Sequence, residues 1–127
     1  MAYVLNTPAD QQGAAVISIE AVDLALNQVI YPFTNLLIVD TVASAKPILS
    51  VPPQFTNSDS LAVTGTAEAG SKVKIYKNSV LISQGAAGSD NSFSQTITLT
   101  VGNNNLYATA TDSAGNTSLV SDSRTVI

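Results

Sequence analysis

Residues 61–84 read LAVTGTAEAGSKVKIYKNSVLISQ, and their rhythm decides the kind of fold the chain can adopt. In KVKIYK (72–77) Val73 and Ile75 alternate with Lys72 and Lys74, and LAVTGTA (61–67) and VLISQ (80–84) are of similar character. Alternation with a period of two marks extended strands, because successive side chains leave the backbone on opposite sides. The breaks EAGS (68–71) and KNS (77–79) hold Gly and Asn, which tolerate the left-handed backbone of tight turns. No segment of the chain sustains the 3.6-residue apolar period of a helix.

The same pattern extends outward. SFSQTITL (92–99), NLYATATD (105–112) and SLVSDSRTVI (118–127) read as further strands, separated by the loops GAAGSDNS (85–92) and TVGNNN (100–105). With one more strand near Ile48, residues 46–127 hold about seven. Such a density of short alternating strands predicts an all-β protein, an immunoglobulin-like β-sandwich.

Upstream, the chain repeats itself. A shift of 89 positions lays Asp23, Ala25 and Asn27 on Asp112, Ala114 and Asn116 without a gap. It also lays Ile17, Ile19 and Ala21 on Leu106, Ala108 and Ala110, and Leu36, Leu37 and Ile38 on Thr125, Val126 and Ile127. The triplets Ile17, Ile19, Ala21 and Leu106, Ala108, Ala110 each describe one buried strand face arriving at an Asp-led turn, after which Leu36, Leu37 and Ile38 match Thr125, Val126 and Ile127. Residues 1–45 are therefore expected to be a partial immunoglobulin-like unit and linker, and 46–127 a complete domain. Strands are expected near Tyr3 to Leu5, from Ala14 to Val22 and from Val29 to Val39. DTVASAKPILSVPPQ (40–54), with three prolines that disfavour helix, reads as an extended connection.

Composition narrows the function. Cys, His and Trp are absent, so disulfides, thiol chemistry and imidazole catalysis are excluded. A net charge of -4 and only five Lys and Arg argue against nucleic acid, whose phosphates are gripped by clustered cations. Lys72, Lys74 and Lys77 are read as a solvated strand face or a guarded sheet edge. The start, MAYVLNTPADQQ, lacks the basic and apolar regions of a secretory signal, and no stretch approaches the ~20 apolar residues of a membrane span. Without His, a serine nucleophile would need Lys or a carboxylate as base, and no nucleophile elbow marks one. Glu20 and Asp23 fall on opposite faces of an extended strand, so they do not make a hydrolytic carboxylate pair. The chain is expected not to be an enzyme. The tyrosines, Tyr3, Tyr31, Tyr76 and Tyr107, are scattered and are expected each to cap a core edge with its hydroxyl bonded nearby; the alternative is a shallow contact patch at Tyr76 and Tyr107, which have outward parity.

Together the pieces VTGTAE (63–68) with Gly70, then Phe93, then ATDSAGN (110–116) resemble the bacterial Ig-like repeats of surface adhesins and phage virion proteins. VDTVASAKP (39–47) looks like the Asp-Thr linker that joins such repeats. One departure is Leu26, which stands where the family usually has the Gly seen at Gly115. The resemblance implies that calcium can sit at repeat junctions, with Asp40 at the matching linker position and Asp112 at the turn. Calcium suits such oxygen donors. The alternative is that Asp23 and Asp112 accept backbone N–H bonds of their own turns.

Three strands make at most one sheet of a sandwich, and about forty residues are near the floor for independent folding. Ile17, Ile19, Leu36, Leu37 and Ile38 are accordingly expected to form an interface with a protein partner, as a homo-oligomer or docked on a larger assembly. That favours a virion surface component, a capsid decoration or tail protein. The alternative is a bacterial adhesin fragment, extracellular or on the cell surface, acting as a calcium-stiffened spacer or binding module. An accessory module of a secreted enzyme is disfavoured by the scarcity of aromatic residues.

Overall fold

The computed structural model describes the backbone of four strands, β1 (Gly13–Ala15), β2 (Ser18–Val22), β3 (Gln28–Pro32) and β4 (Leu37–Val39), and residues 39–127 in full. The chain divides into two compact units, Met1–Val42 and Ala43–Ile127.

In the first unit β2 pairs antiparallel with β3 and β1 with β4. The strand expected near Tyr3 to Leu5 lies outside the described residues. Within the runs expected over Ala14 to Val22 and Val29 to Val39 the described residues form β1 and β2, and β3 and β4. Residue numbers of partners sum to 52 in β1·β4, as in Ala15↔Leu37, but to 50 in β2·β3, as in Val22↔Gln28.

The second unit holds β5 (Ile48–Leu49), β6 (Ser60–Thr66), β7 (Lys72–Lys77), β8 (Val80–Ala86), β9 (Ser92–Thr98), β10 (Asn104–Thr111) and β11 (Arg124–Val126). They form a three-stranded sheet, β5-β6-β9, and a four-stranded sheet, β11-β10-β7-β8. Their inward residues meet in one core: Val63, Phe93 and Ile97 from the first sheet, Val73, Ile75, Leu106, Ala108 and Ala110 from the second. Alternation places them there, and all eight are buried. This is the immunoglobulin-like sandwich that the alternation predicts. KVKIYK lies inside its sheet between β10 and β8, so Lys72 and Lys74 belong to an outward face and guard no edge of their own sheet, whereas Lys77, on the parity of Val73 and Ile75, reaches across to the Thr98 carbonyl of β9.

Between β7 and β8 the turn residues Asn78 and Ser79 both have positive φ, 49° and 70°. That is the two-residue hairpin whose twist matches the strands it joins. Asn78 tolerates the left-handed region, whereas Ser79 occupies it at a cost. Ser79→Gly is expected to raise stability by about 0.5 kcal/mol, read as a higher thermal midpoint. Further along the hairpin Ile75 pairs with Ser83 but Tyr76 with Leu81, so Ile82 is an extra residue that bulges β8.

The strand expected over 118–127 is interrupted. Only Arg124–Val126 forms a ladder with β10, preceded by the isolated bridge Thr111↔Thr117. In between, the hydroxyls of Ser118 and Ser121 accept bonds from the amides of Ala110 and Ala108, both at 2.9 Å. Side chains thus stand in for backbone carbonyls, and Leu119 and Val120 are left exposed. Beyond β11, the Ile127 amide donates to the Gln54 carbonyl and the Thr56 amide to the Ile127 carbonyl.

The 89-residue shift holds for pairing as well as sequence. Moved forward by 89, Val22↔Gln28 becomes Thr111↔Thr117, and Ala15↔Leu37 becomes Asn104↔Val126; the second unit makes both pairings. The two-step change of register recurs in the same place.

Candidate functional site

The loop after β10 contains the sequence-predicted Asp112. Its Oδ1 accepts the Asn116 amide at 2.8 Å and its Oδ2 the Asn116 side-chain amide at 3.0 Å. The Asp112 amide in turn donates to the Asn116 carbonyl at 3.1 Å. Gly115, at φ 96°, supplies the left-handed residue that closes the turn. Desolvation works against the charged form of Asp112, but the bonds from Asn116, Gly115 and Ala114 outweigh it and hold the carboxyl below its ordinary 3.8. Both oxygens are engaged by the turn itself, so a cation here would compete with its own loop.

Asp40 is placed in the linker, where its Oδ1 accepts the Val42 amide at 3.1 Å. It belongs to the first unit and Asp112 to the second. Among the described residues no group of three or more acidic, His or Cys side chains could hold a metal ion. Of the five expected interface residues, Ile17 and Leu36 lie outside the described residues. Ile19 is on β2, paired with Tyr31, and Leu37 and Ile38 are on β4, paired with Ala15 and Ala14.

Two other carboxylates work as Asp112 does. Asp90 is lowered by bonds from the Ser92 hydroxyl and amide. Asp122 is lowered by its bond and charge pairing with Lys46 at 2.7 Å, an exposed pair. A folded-state value below the unfolded one gives stability that is present above the unfolded pKa and lost as pH falls through the folded one. Thermal midpoints are therefore expected to be level near neutrality and to fall as pH drops below about 4, with a shallower fall in Asp112→Ala. Thermal melts from neutral to strongly acid pH check this.

The outer face of the four-stranded sheet carries the two tyrosines whose outward parity the sequence shows, in an arrangement it does not. Tyr76 and Tyr107 are directly opposed on β7 and β10, and their rings stack with centroids 5.0 Å apart at 9°. Each ring covers one face of the other, and both side chains are half-buried. Setting β7 against β10 by their inward residues would have revealed the pair. At one end of the sandwich an open groove of about 810 Å3 is lined by Phe55, Asp59, Leu99, Val101, Asn104 and Ile127. Phe55 and Val101 are largely exposed there. Nothing in the spacing of these two loop residues marks them in advance.

The bacterial Ig domain family matches residues 51–125. The chain belongs to that family. Among solved structures, this bacterial Ig domain protein is similar to one described as the BSP domain of a biofilm associated protein. The TM-score is 0.51 and the identity 24%, over 94% of this chain and 19% of that one. It is also similar to fibronectin(III)-like modules of Clostridium thermocellum CbhA, with a TM-score of 0.50 and 18% identity over 64% of this chain and 93% of that one. At these identities the likeness is one of fold. The chain spans about a fifth of the biofilm protein's length. No curated protein matches it. Among the described residues no helix is long and apolar enough to cross a membrane.

Proposed function

We propose that this chain is a non-catalytic part of a bacterial cell-surface protein of the adhesin kind, in which Ig domains serve as spacers or binding repeats. The observation that carries the reading is the register match between the two units. Two pairs among residues 13–39, Val22↔Gln28 and Ala15↔Leu37, recur 89 positions later as Thr111↔Thr117 and Asn104↔Val126, with which the second unit closes its four-stranded sheet. Two successive repeats joined by a proline-containing linker would leave that trace. Membership of the bacterial Ig domain family and the fold likeness to a biofilm associated protein domain support a surface location. They favour it over a virion component.

An antibody raised against the second unit is expected to label intact cells of the producing bacterium. Labelling that appears only after permeabilisation would overturn the surface reading. Within this reading a calcium ion at the Asp40 linker would stiffen the junction, with carbonyls and water completing its oxygen shell. Calorimetric titration with calcium is expected to give heat and a raised thermal midpoint. Neither heat nor shift would remove calcium from the proposal and leave the spacer intact.

A further inference from the structure

In the three-stranded sheet β9 is an edge, and its hydrogen-bonding direction can be followed residue by residue. The Ser50 amide donates to the Thr64 carbonyl, so Thr64 faces β5, and its opposite number Ser94 turns its backbone groups away from β6. The Leu99 amide donates to the Asp59 carbonyl, which puts the odd-numbered positions on the β6 side. Ser92, Ser94, Thr96 and Thr98 therefore direct their N–H and C=O groups toward the open side. At the ends of this row the chain itself closes both backbone groups of Ser92 and the carbonyl of Thr98. The Ser92 amide donates to Asp90 at 3.1 Å, the Ser92 carbonyl accepts Gly88 N–H at 2.8 Å, and the Thr98 carbonyl accepts Lys77 Nζ at 2.8 Å. In the middle, the N–H and C=O of Ser94 and Thr96 have no such partner among the described residues.

Natural sheets protect edges with charges, proline, bulges or very short strands. The neighbouring edge β8 has its bulge at Ile82. β9 has none of these devices: SFSQTIT contains no charge, proline or glycine and pairs with β6 without a break over seven residues. Its outward side chains are Ser92, Ser94, Thr96 and Thr98, facing Thr66, Thr64, Ala62 and Ser60 across the ladder, all exposed. The outer face of this pair of strands is uncharged on a molecule whose net charge is -4.

We infer that β9 is a self-association edge whose occupant is β9 of a second copy of this chain. A two-fold axis at Gln95 sets Ser94 opposite Thr96 of the partner subunit, and Thr96 opposite Ser94 of the partner subunit. The four groups of Ser94 and Thr96 on each edge then satisfy one another through four backbone bonds, in an isologous contact. Charge favours this occupant, since two acidic copies meet here without bringing like charges together. The result is a continuous sheet of six strands, β5-β6-β9 followed by its two-fold mate. A contact this short makes a weak pair, populated at high local density such as a crowded surface provides.

The test uses the full chain, with sedimentation equilibrium and amide exchange followed residue by residue from about 10 μM to about 1 mM. The average mass is expected to rise with concentration while exchange slows at the Ser94 and Thr96 amides. Thr96→Lys places like charges beside the two-fold axis and is expected to weaken association about tenfold or more, with an unchanged thermal midpoint. Ser94→Lys serves the same purpose if that variant misfolds. A mass that stays monomeric throughout overturns the inference. So does a rise in mass without protection at Ser94 and Thr96, which would place the contact elsewhere, or association that folded lysine variants leave untouched. These readouts are independent of where the protein resides in the cell.

Discussion

Asn104→Ala is expected to cost the second unit about 3 kcal/mol, a fall of about 10–20 °C in its thermal midpoint. Asn104 is 1% exposed at the start of β10. Its Oδ1 accepts the Thr100 amide at 2.9 Å and the Thr100 hydroxyl at 3.1 Å. Its Nδ2 donates to the carbonyls of Thr100 and Gly102 at 2.8 and 2.9 Å, with a longer approach of 3.3 Å to the Val126 carbonyl. One side chain thus satisfies the loop 99–103 and ties it to β11. Alanine removes these bonds, part-buried toward Thr100 and Gly102 and buried toward Val126, and empties a side-chain site that is itself fully buried, so the loss exceeds that of one mean hydrogen bond. Calorimetry gives the size of the loss, and amide exchange of Thr100 gives its place. A midpoint within about 3 °C of wild type would mean that water replaces the amide group well enough to carry the loop.

Gly65→Ala should be comparably severe, by about 3 kcal/mol, for the opposite physical reason. Gly65 lies on β6 between β5 and the Phe93 ring. A Cβ there would overlap the Ile48 carbonyl oxygen and stand 2.7 and 2.9 Å from two Phe93 ring carbons. A ring can tilt, but the carbonyl belongs to the short ladder of β5 on β6, so β5 must move away. Urea denaturation is expected to show a lowered midpoint, with faster exchange of the Ser50 amide, whose acceptor is the adjacent Thr64 carbonyl. Combining Gly65→Ala with Phe93→Leu should recover only part of the loss, since the backbone overlap is untouched.

Much of this fold was legible from local pattern. KVKIYK coincides with β7, and SFSQTITL and NLYATATD lie within a residue of β9 and β10, because alternation and turn residues act over a few positions. What escaped depends on partners distant in sequence. The hydroxyls of Ser118 and Ser121 break the final strand because two alanine amides of β10 lie opposite them. The bulge at Ile82 and the stack of Tyr76 on Tyr107 are facts of register between strands. Asp112 was singled out from the Asp-led turn, and both readings of it use the same oxygens, so only the positions of Asn116 and Gly115 reveal that the turn engages them. The apolar groove at Phe55 and Val101 is assembled from separate loops and leaves no periodic signature.

The two bonds that join Gln54 and Thr56 to Ile127 also determine how the second unit bears tension. Its entering chain near residue 54 and its final residue run parallel there, so a pull on the two ends slides one backbone along the other and stretches both bonds at once. Bonds stretched in step resist more than bonds that open one after another, and the domain would yield abruptly at that clasp. A tether built of such units would hold its length under flow until a threshold, then lengthen by one whole module.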